Sequence, residues 1–280
     1  MYLRTFSRCS PDKVITTDAS LLGWGATFES FSTGGTWSLN EKDHHINYLE
    51  LLAVFLGLKS FAKDMRNVHI RLLVDNTTAV ALINNMGSSH ALACNKLVRD
   101  IWEWCIPRGI WISAAHIPGK LNCQADFESR NFHTDMEWML NPKCLSDSLE
   151  QLHFKPDIDL FASRLNHQFP RYCAFKPDPG AMCIDAFSIP WTGLNFYAFP
   201  PFSVVPLLLK KIQEDRATGV CVFPNWPTQA WYPKAMRMVI GKSIMVSPRQ
   251  QLLTLPGQPH LQHPLHNKLS LIIGLLSGKN

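Results

Sequence analysis

The sequence predicts a mixed α/β fold, with a five-stranded mixed sheet and flanking helices in residues 12–135 and a second, smaller α/β region behind it. Three observations point there. Residues 13–39 hold three β-prone runs separated by turn residues, the pattern of an antiparallel meander. Residues 47–129 then alternate helix-spaced and strand-like stretches, which sets a mixed sheet with helices on its faces. Finally, 280 residues that are 46% hydrophobic and 18% charged suffice for one large or two modest cores, and two domains are expected.

The first strand is KVITT at 13–17, ending at Asp18, and the second is GWGATFE at 23–29 after a small turn. Gly34 and Gly35 read as the turn into a third strand at 36–39. Leu49, Leu52, Ala53, Leu56 and Phe61 recur at helical spacing, so a helix starts at Asn47 and closes before Arg66 and Asn67. The apolar run HIRLLV at 69–74 is a fourth strand leading into Asp75. A short helix at 78–86 stops at Gly87, and a longer one at 91–106 stops at Pro107 and Gly109. IWISAA at 110–115 is the fifth strand, HIPG at 116–119 a loop, and 122–129 a last helical segment.

The stretch 131–156 is polar and irregular, and 136–156 is taken as a linker. Beyond it, 158–161, 196–199 and 219–223 are strand-like, with a helix at 204–215. The expected organisation is therefore an N-terminal extension at 1–11, a first domain at 12–135, the linker, a second region at 157–247, and a tail at 248–280. That tail is rich in Pro, Gln and His, and is expected to be poorly ordered.

Eight cysteines lie far apart, with no C-x-x-C pair for a zinc cage and no dense disulfide pattern. They read as reduced, mostly buried thiols of an intracellular protein, the cytoplasm and nucleus both remaining open. The opening residues contain no apolar leader core, and the longest apolar run, 269–276, is too short to cross a bilayer. The net charge of +5 is uneven: 11 Lys/Arg against 13 Asp/Glu at 12–135 leave −2, and 14 against 9 at 136–280 leave +5.

Four acids in the first domain stand at element ends. Asp18 closes the first strand and Asp75 the fourth, so both carboxylates emerge at one sheet edge if those strands are parallel neighbours. Glu50 falls in the first turn of the helix between them, and Asp126 opens the helix after the fifth strand. Carboxylates converging in this way suit hard divalent cations, which prefer oxygen ligands. Each acid also has a plainer reading. Asp18 could close a turn, Asp75 could cap a helix, Asn47 and Glu50 could form a capping box, and Asp126 could favour a helix dipole. The ordered set of four is what favours the metal.

The stretches that carry these acids are VITTDASLLGWGA, INYLELLAV, LLVDNTTAVALIN and HIPGKLNCQAD. Together they resemble the ribonuclease H family, and specifically the domain that follows reverse transcriptase in retroelements, over roughly residues 12–130. The resemblance implies a ribonuclease H-like fold in which Asp18, Glu50, Asp75 and Asp126 hold two Mg2+ ions, with Mn2+ as a substitute, to cut the RNA strand of an RNA–DNA hybrid. It implies that His116 assists proton transfer or product departure, a task for which histidine suits neutral pH. Bound ions would also reverse the sign of this acidic domain toward nucleic acid. The hybrid would be read through its shallow minor groove and 2′-hydroxyls. Ser20, Asn76 and Asn122 are candidate donors there, with turn-making and capping as their plainer roles. The short connection at 86–91 stands where some cellular members insert a basic helical handle, so affinity is expected to depend on attached domains.

The second region, DIDLFASRLNHQFPRYCAF followed by DAFSIPW, FYAFPPF and FPNWPTQAWYP, resembles the methyltransferase-like segment downstream of ribonuclease H in DIRS-type, tyrosine-recombinase retrotransposons. That order of modules implies a retroelement polyprotein. Adenine methyltransferases hold the target amine with an Asp- or Asn-Pro-Pro-aromatic loop, and here the run is Phe199-Pro200-Pro201-Phe202, without the polar residue. No glycine-rich turn follows Asp159-Leu160-Phe161, so methylation is not expected. Trp191, Phe202, Trp226, Trp231 and Tyr232 read as core, with a stacking surface for single strands as the other option. The expected partners are an RNA–DNA hybrid and a reverse transcriptase domain in cis or in trans, with neither a membrane nor a small-molecule substrate. The rival reading is a non-catalytic nucleic-acid-binding remnant, against which the intact acids argue; a third is a methyltransferase with an unrecognised cofactor site.

Overall fold

The computed structural model describes residues 10–88, 91–132 and 137–279, and the chain divides into two compact units, Met1–Phe132 and His133–Asn280. In the first unit β1 (Lys13–Ala19), β2 (Gly23–Phe28) and β3 (Phe31–Thr36) form the expected meander. Then come α1 (Ile46–Phe61), β4 (His69–Val74), α2 (Thr77–Asn84), α3 (Leu92–Cys105), β5 (Trp111–His116) and α4 (Cys123–Arg130). The described strands make a five-stranded sheet in the order β3-β2-β1-β4-β5. Pairing is antiparallel from β3 to β1 and parallel from β1 through β4 to β5, which is the mixed sheet the sequence predicts.

Helix α1 buries Leu49, Leu51, Leu52, Ala53, Val54, Leu56 and Leu58, a spread that leaves no single apolar stripe. It is therefore a core helix, sharing one cluster with Ile15 and Ala26 of the meander, Ile70 and Leu72 of β4, and Ile101 of α3. Each fully buried Leu or Ile there contributes about 1.5–3 kcal/mol.

The third strand corrects the reading of the glycines. The chain turns at Glu29 and Ser30, with Glu29 at φ 54°, and Gly34 and Gly35 lie inside β3. They mark a close approach instead of a turn. A Cβ at Gly34 would stand 2.7 Å from the Glu128 carbonyl oxygen, and one at Gly25 would overlap the backbone of Ala125 and Ser129. Bare strand surface is what lets α4 press its backbone onto β2 and β3.

The second unit comprises β6 (Met139–Leu140), α5 (Pro142–Gln151), β7 (Ile158–Asp159), β8 (Arg171–Ala174), β9 (Cys183–Ile184), β10 (Asn195–Ala198), α6 (Val205–Glu214), β11 (Thr218–Pro224), α7 (Tyr232–Met238), β12 (Ile244–Val246), β13 (Leu253–Thr254) and β14 (Leu271–Ser277). Its described strands give a seven-stranded sheet in the order β12-β14-β11-β10-β7-β8-β9, so this is not the smaller of the two sheets. From β9 to β11 the pairing is parallel, and β14 runs antiparallel to both β11 and β12. Strand order reverses between β7 and β10, a topological switch point.

Two expected boundaries change. Of the linker at 136–156, the described part forms β6 and α5, and packs Leu140, Cys144 and Leu145 into one cluster with Leu252, Leu253, Leu269 and Leu271. The tail at 248–280 supplies β13, which pairs with β6, and β14, buried between two strands. The apolar run at 269–276 is thus an interior strand, and its lack of alternation follows from burial on both faces. The junction at 135/136 and residues 1–9 of the extension lie outside the described residues, as do Ser89 and His90 of the short connection.

The thiol reading changes as well. Cys173 of β8 and Cys183 of β9 are register partners, 4.9 Å apart at Cα, and are joined in a disulfide. Cys105, Cys144 and Cys221 are free and buried, Cys94 is half-buried and Cys123 is exposed, while Cys9 lies outside the described residues. Among the described residues no helix is long and apolar enough to cross a membrane.

Candidate metal centre

Parallel pairing of β1 with β4 sets Thr17 opposite Val74, so Asp18 and Asp75 are the next residues on two neighbouring strands. Glu50 reaches the same edge from α1. Oxygens of Asp18, Glu50 and Asp75 lie within 4.8 Å of one another, with Asp18 and Glu50 buried and Asp75 half-buried.

The helix caps remove two of the plainer readings. His45 caps α1, its ring accepting the Asn47 amide at 3.2 Å, so there is no Asn47–Glu50 capping box and Glu50 sits beyond the first turn. Asn76 caps α2 by accepting the Ala79 amide at 2.9 Å, which leaves the Asp75 carboxylate uninvolved in that cap.

Electrostatics show what the cluster lacks. Burial foremost, with the charges of Asp75 and Asp126 adding, pushes the Asp18 carboxyl up to about 6 against the pull of the Ser129 hydroxyl. Burial, then Asp75 and Asp18, push Glu50 up to about 9. Glu50 Oε2 is buried without a hydrogen-bond partner. Three all-oxygen ligands with an orphaned buried oxygen and mutual repulsion fit a divalent cation, whose charge would favour the ionised forms.

Asp126 is not in this trio. It lies on the first turn of α4, its side chain 43% exposed, and accepts from Arg130 Nε at 2.6 Å. It still borders the site, because its charge is felt at Asp18 and because the Ser129 hydroxyl reaches both Asp18 Oδ2 at 2.6 Å and the Asp126 carbonyl at 2.9 Å. His116 is the last residue of β5, exposed and opposite Val74, and so ends a strand instead of riding in the following loop. That loop packs close to the acids: a Cβ at Gly119 would lie 3.4 Å from Asp75 Oδ2.

The three polar candidates are engaged within the protein. The buried Ser20 hydroxyl donates to the Ser129 carbonyl at 2.6 Å and accepts the Leu22 and Gly23 amides. Asn76 donates to Asn47 Oδ1 at 3.0 Å while capping α2. Asn122, 1% exposed, donates to the Thr17 carbonyl at 3.1 Å and Asp18 Oδ1 at 3.2 Å.

No family model matches the chain. The enzymatic polyproteins of two cauliflower mosaic virus strains, D/H and Strasbourg, are each 30% identical over 139 residues. The match covers 43% of this chain and 19% of theirs, so the chain spans about a fifth of the length of these curated relatives. Among solved structures, ribonuclease H1 from the archaeon Halobacterium salinarum NRC-1 is 17% identical with a TM-score of 0.36, covering 41% of this chain and 92% of that one. LC11-RNase H1, solved in complex with an RNA/DNA hybrid, is 15% identical with a TM-score of 0.33 and the same coverage.

Ser129 and Arg130 were missed in the sequence. Ser129 is fully buried and anchors a carboxylate 111 residues earlier, and its signal was slight: a hydroxyl three residues after an acid on one helix. Arg130, one turn after Asp126, was visible as an i,i+4 pair.

Proposed function

We propose that the first unit is a metal-dependent endonuclease that hydrolyses the RNA strand of RNA–DNA hybrids during retroelement replication. The observation that carries this reading is the convergence of Asp18, Glu50 and Asp75 within 4.8 Å, one buried Glu50 oxygen lacking any partner. These three, with Asp126 at the rim, would hold two Mg2+ ions, or Mn2+ in their place. Divalent ions bound there supply an activated water and charge stabilisation at the scissile phosphate. The protein's own share is positional. Ser129 and Asn122 fix the Asp18 carboxylate from α4 and its approach, and α1 brings Glu50 to the sheet edge from inside the core. His116, exposed beside the Asp75 strand end, would assist proton transfer or product departure. The viral polyprotein relatives support a polyprotein setting, and the reading adds a reverse transcriptase domain as partner, in cis or in trans.

The second unit, on this reading, is a methyltransferase-like region that no longer methylates. At the end of β7 both Asp159 oxygens are already taken, by the Phe161 amide at 3.2 Å and the Gln168 amide at 3.1 Å. At the end of β10 Phe202 packs its ring 5.2 Å from Trp226.

A labelled RNA–DNA hybrid incubated with and without Mg2+ tests the nuclease. Asp75→Asn removes a ligand charge at nearly constant volume and should lower cleavage by at least about 100-fold, with the fold retained by circular dichroism. Undiminished cleavage refutes the assigned site, and a wild-type chain that binds the hybrid without cutting it is the non-catalytic remnant.

A further inference from the structure

Arg130 ends α4 beside Ser129, the residue that holds Asp18, and one turn beyond Asp126. Its Nε donates to Asp126 Oδ1 at 2.6 Å, and its charge also bears on Asp18 and Asp75. A single guanidinium thus lies within electrostatic reach of three of the acids at this edge. Its side chain is 56% exposed, so the group has solvent on its outer side and room to turn. Nothing in the fold requires the pair: α4 is seated by its backbone on the glycines of β2 and β3, and by Ser129 on Asp18.

A half-exposed ion pair of this kind holds its partners by less than about tenfold, far too little to withstand a divalent cation. The guanidinium that such a cation displaces is also the side chain best shaped to clasp a phosphate in two-point fashion. We propose that Arg130 is an exchangeable counter-cation: it holds Asp126 while no divalent ion is bound, then releases Asp126 to the ion and turns its guanidinium to a backbone phosphate of the nucleic acid. The inference rests on the reading of the acids as a metal site and adds to it a positioning residue. It assigns Arg130 two opposed effects, against metal and for nucleic acid. A merely structural arginine would have neither.

The test uses the full 280-residue chain and Arg130→Gln, whose exposed position makes folding safe, with melting temperature as the check. Calorimetric titration with Mn2+ alone should show the variant binding about three- to tenfold more tightly, because a competitor for Asp126 and a nearby positive charge are both gone. Binding of a labelled RNA–DNA hybrid in Ca2+ should weaken about three- to tenfold, and the log–log salt slope should fall by about one. Arg130→Lys keeps the charge and should retain the salt slope. Mn2+ affinity equal to or weaker than wild type, or an unchanged hybrid salt slope, overturns the inference and leaves the metal reading standing. Should the wild-type chain itself show no saturable Mn2+ binding, the metal reading falls first and this inference with it.

Discussion

Each unit buries a carboxylate at the carboxyl end of a parallel strand or beside one, and the two are resolved in opposite ways. In the second unit Asp159 is fully enclosed; burial raises its carboxyl to about 7 while two backbone amides pull it down, so the loop after β7 supplies its own ligands. In the first unit Glu50 is raised to about 9 by burial and by two other carboxylates, and one of its oxygens has no partner. The lesson is that burial alone does not mark a functional acid. What distinguishes the site is an unmet demand for positive charge, present at one sheet edge and already met at the other.

Three perturbations press on that contrast. The largest effect is expected from Gly25→Ala. The added methyl would overlap the Ala125 and Ser129 backbone, which cannot swing aside like a side chain, so α4 must lift off the sheet and take Ser129 away from Asp18. Urea denaturation should register a loss of about 3 kcal/mol, and a loss under about 0.5 kcal/mol would mean that close seating is unnecessary.

A middle-sized effect should separate the two acids directly. Glu50→Gln removes the cost of burying an acid among acids, and should stabilise the metal-free chain by about 1–2 kcal/mol at pH 7. The wild type should gain about 2 kcal/mol from Mg2+ at tens of times its Kd, and Glu50→Gln should forfeit most of that gain while Asp159→Asn keeps it. Thermal melts with and without Mg2+ read this out. If Asp159→Asn lost the Mg2+ response and Glu50→Gln kept it, the contrast would be reversed.

Ser129→Ala should have the smallest effect, about 1 kcal/mol. Its sign with pH is informative. The Asp18 carboxyl is raised in the fold from 3.8 to about 6, so the stability tied to it is full below the lower value and is lost as pH rises through the upper one. The Ser129 hydroxyl favours the charged form and limits that loss. The variant should therefore match wild type near pH 4 and fall behind above about pH 6, measured on the metal-free chain. A deficit independent of pH would assign Ser129 to packing alone.

Much of the first unit was legible because local rules and tertiary demands agree there. The β-prone run of β1, the bounds of β4 and the helical spacing of α1 placed Asp18 and Asp75 at strand ends and Glu50 near the start of its helix, just past the first turn expected for it. The glycines of β3 misled, since Gly-Gly signals a turn when only the chain itself is considered, and a close contact when α4 is present. In the second unit the same limit was costlier. The β6–β13 pairing joins residues more than a hundred positions apart, and β14 is an uninterrupted apolar strand whose neighbours come from elsewhere in the sequence.

Residue type and periodicity by themselves determined that Asp18 and Asp75 stand at the ends of strands and that Glu50 and Asp126 stand in helices, because these are properties of short segments. Only the tertiary structure decided that three of the four meet, that Ser129 and Asn122 anchor Asp18, and that Cys173 faces Cys183. Such outcomes depend on distances of a few ångströms between groups separated by ten to more than a hundred residues. Coulombic and hydrogen-bond energies change steeply over that range, and no local pattern carries them.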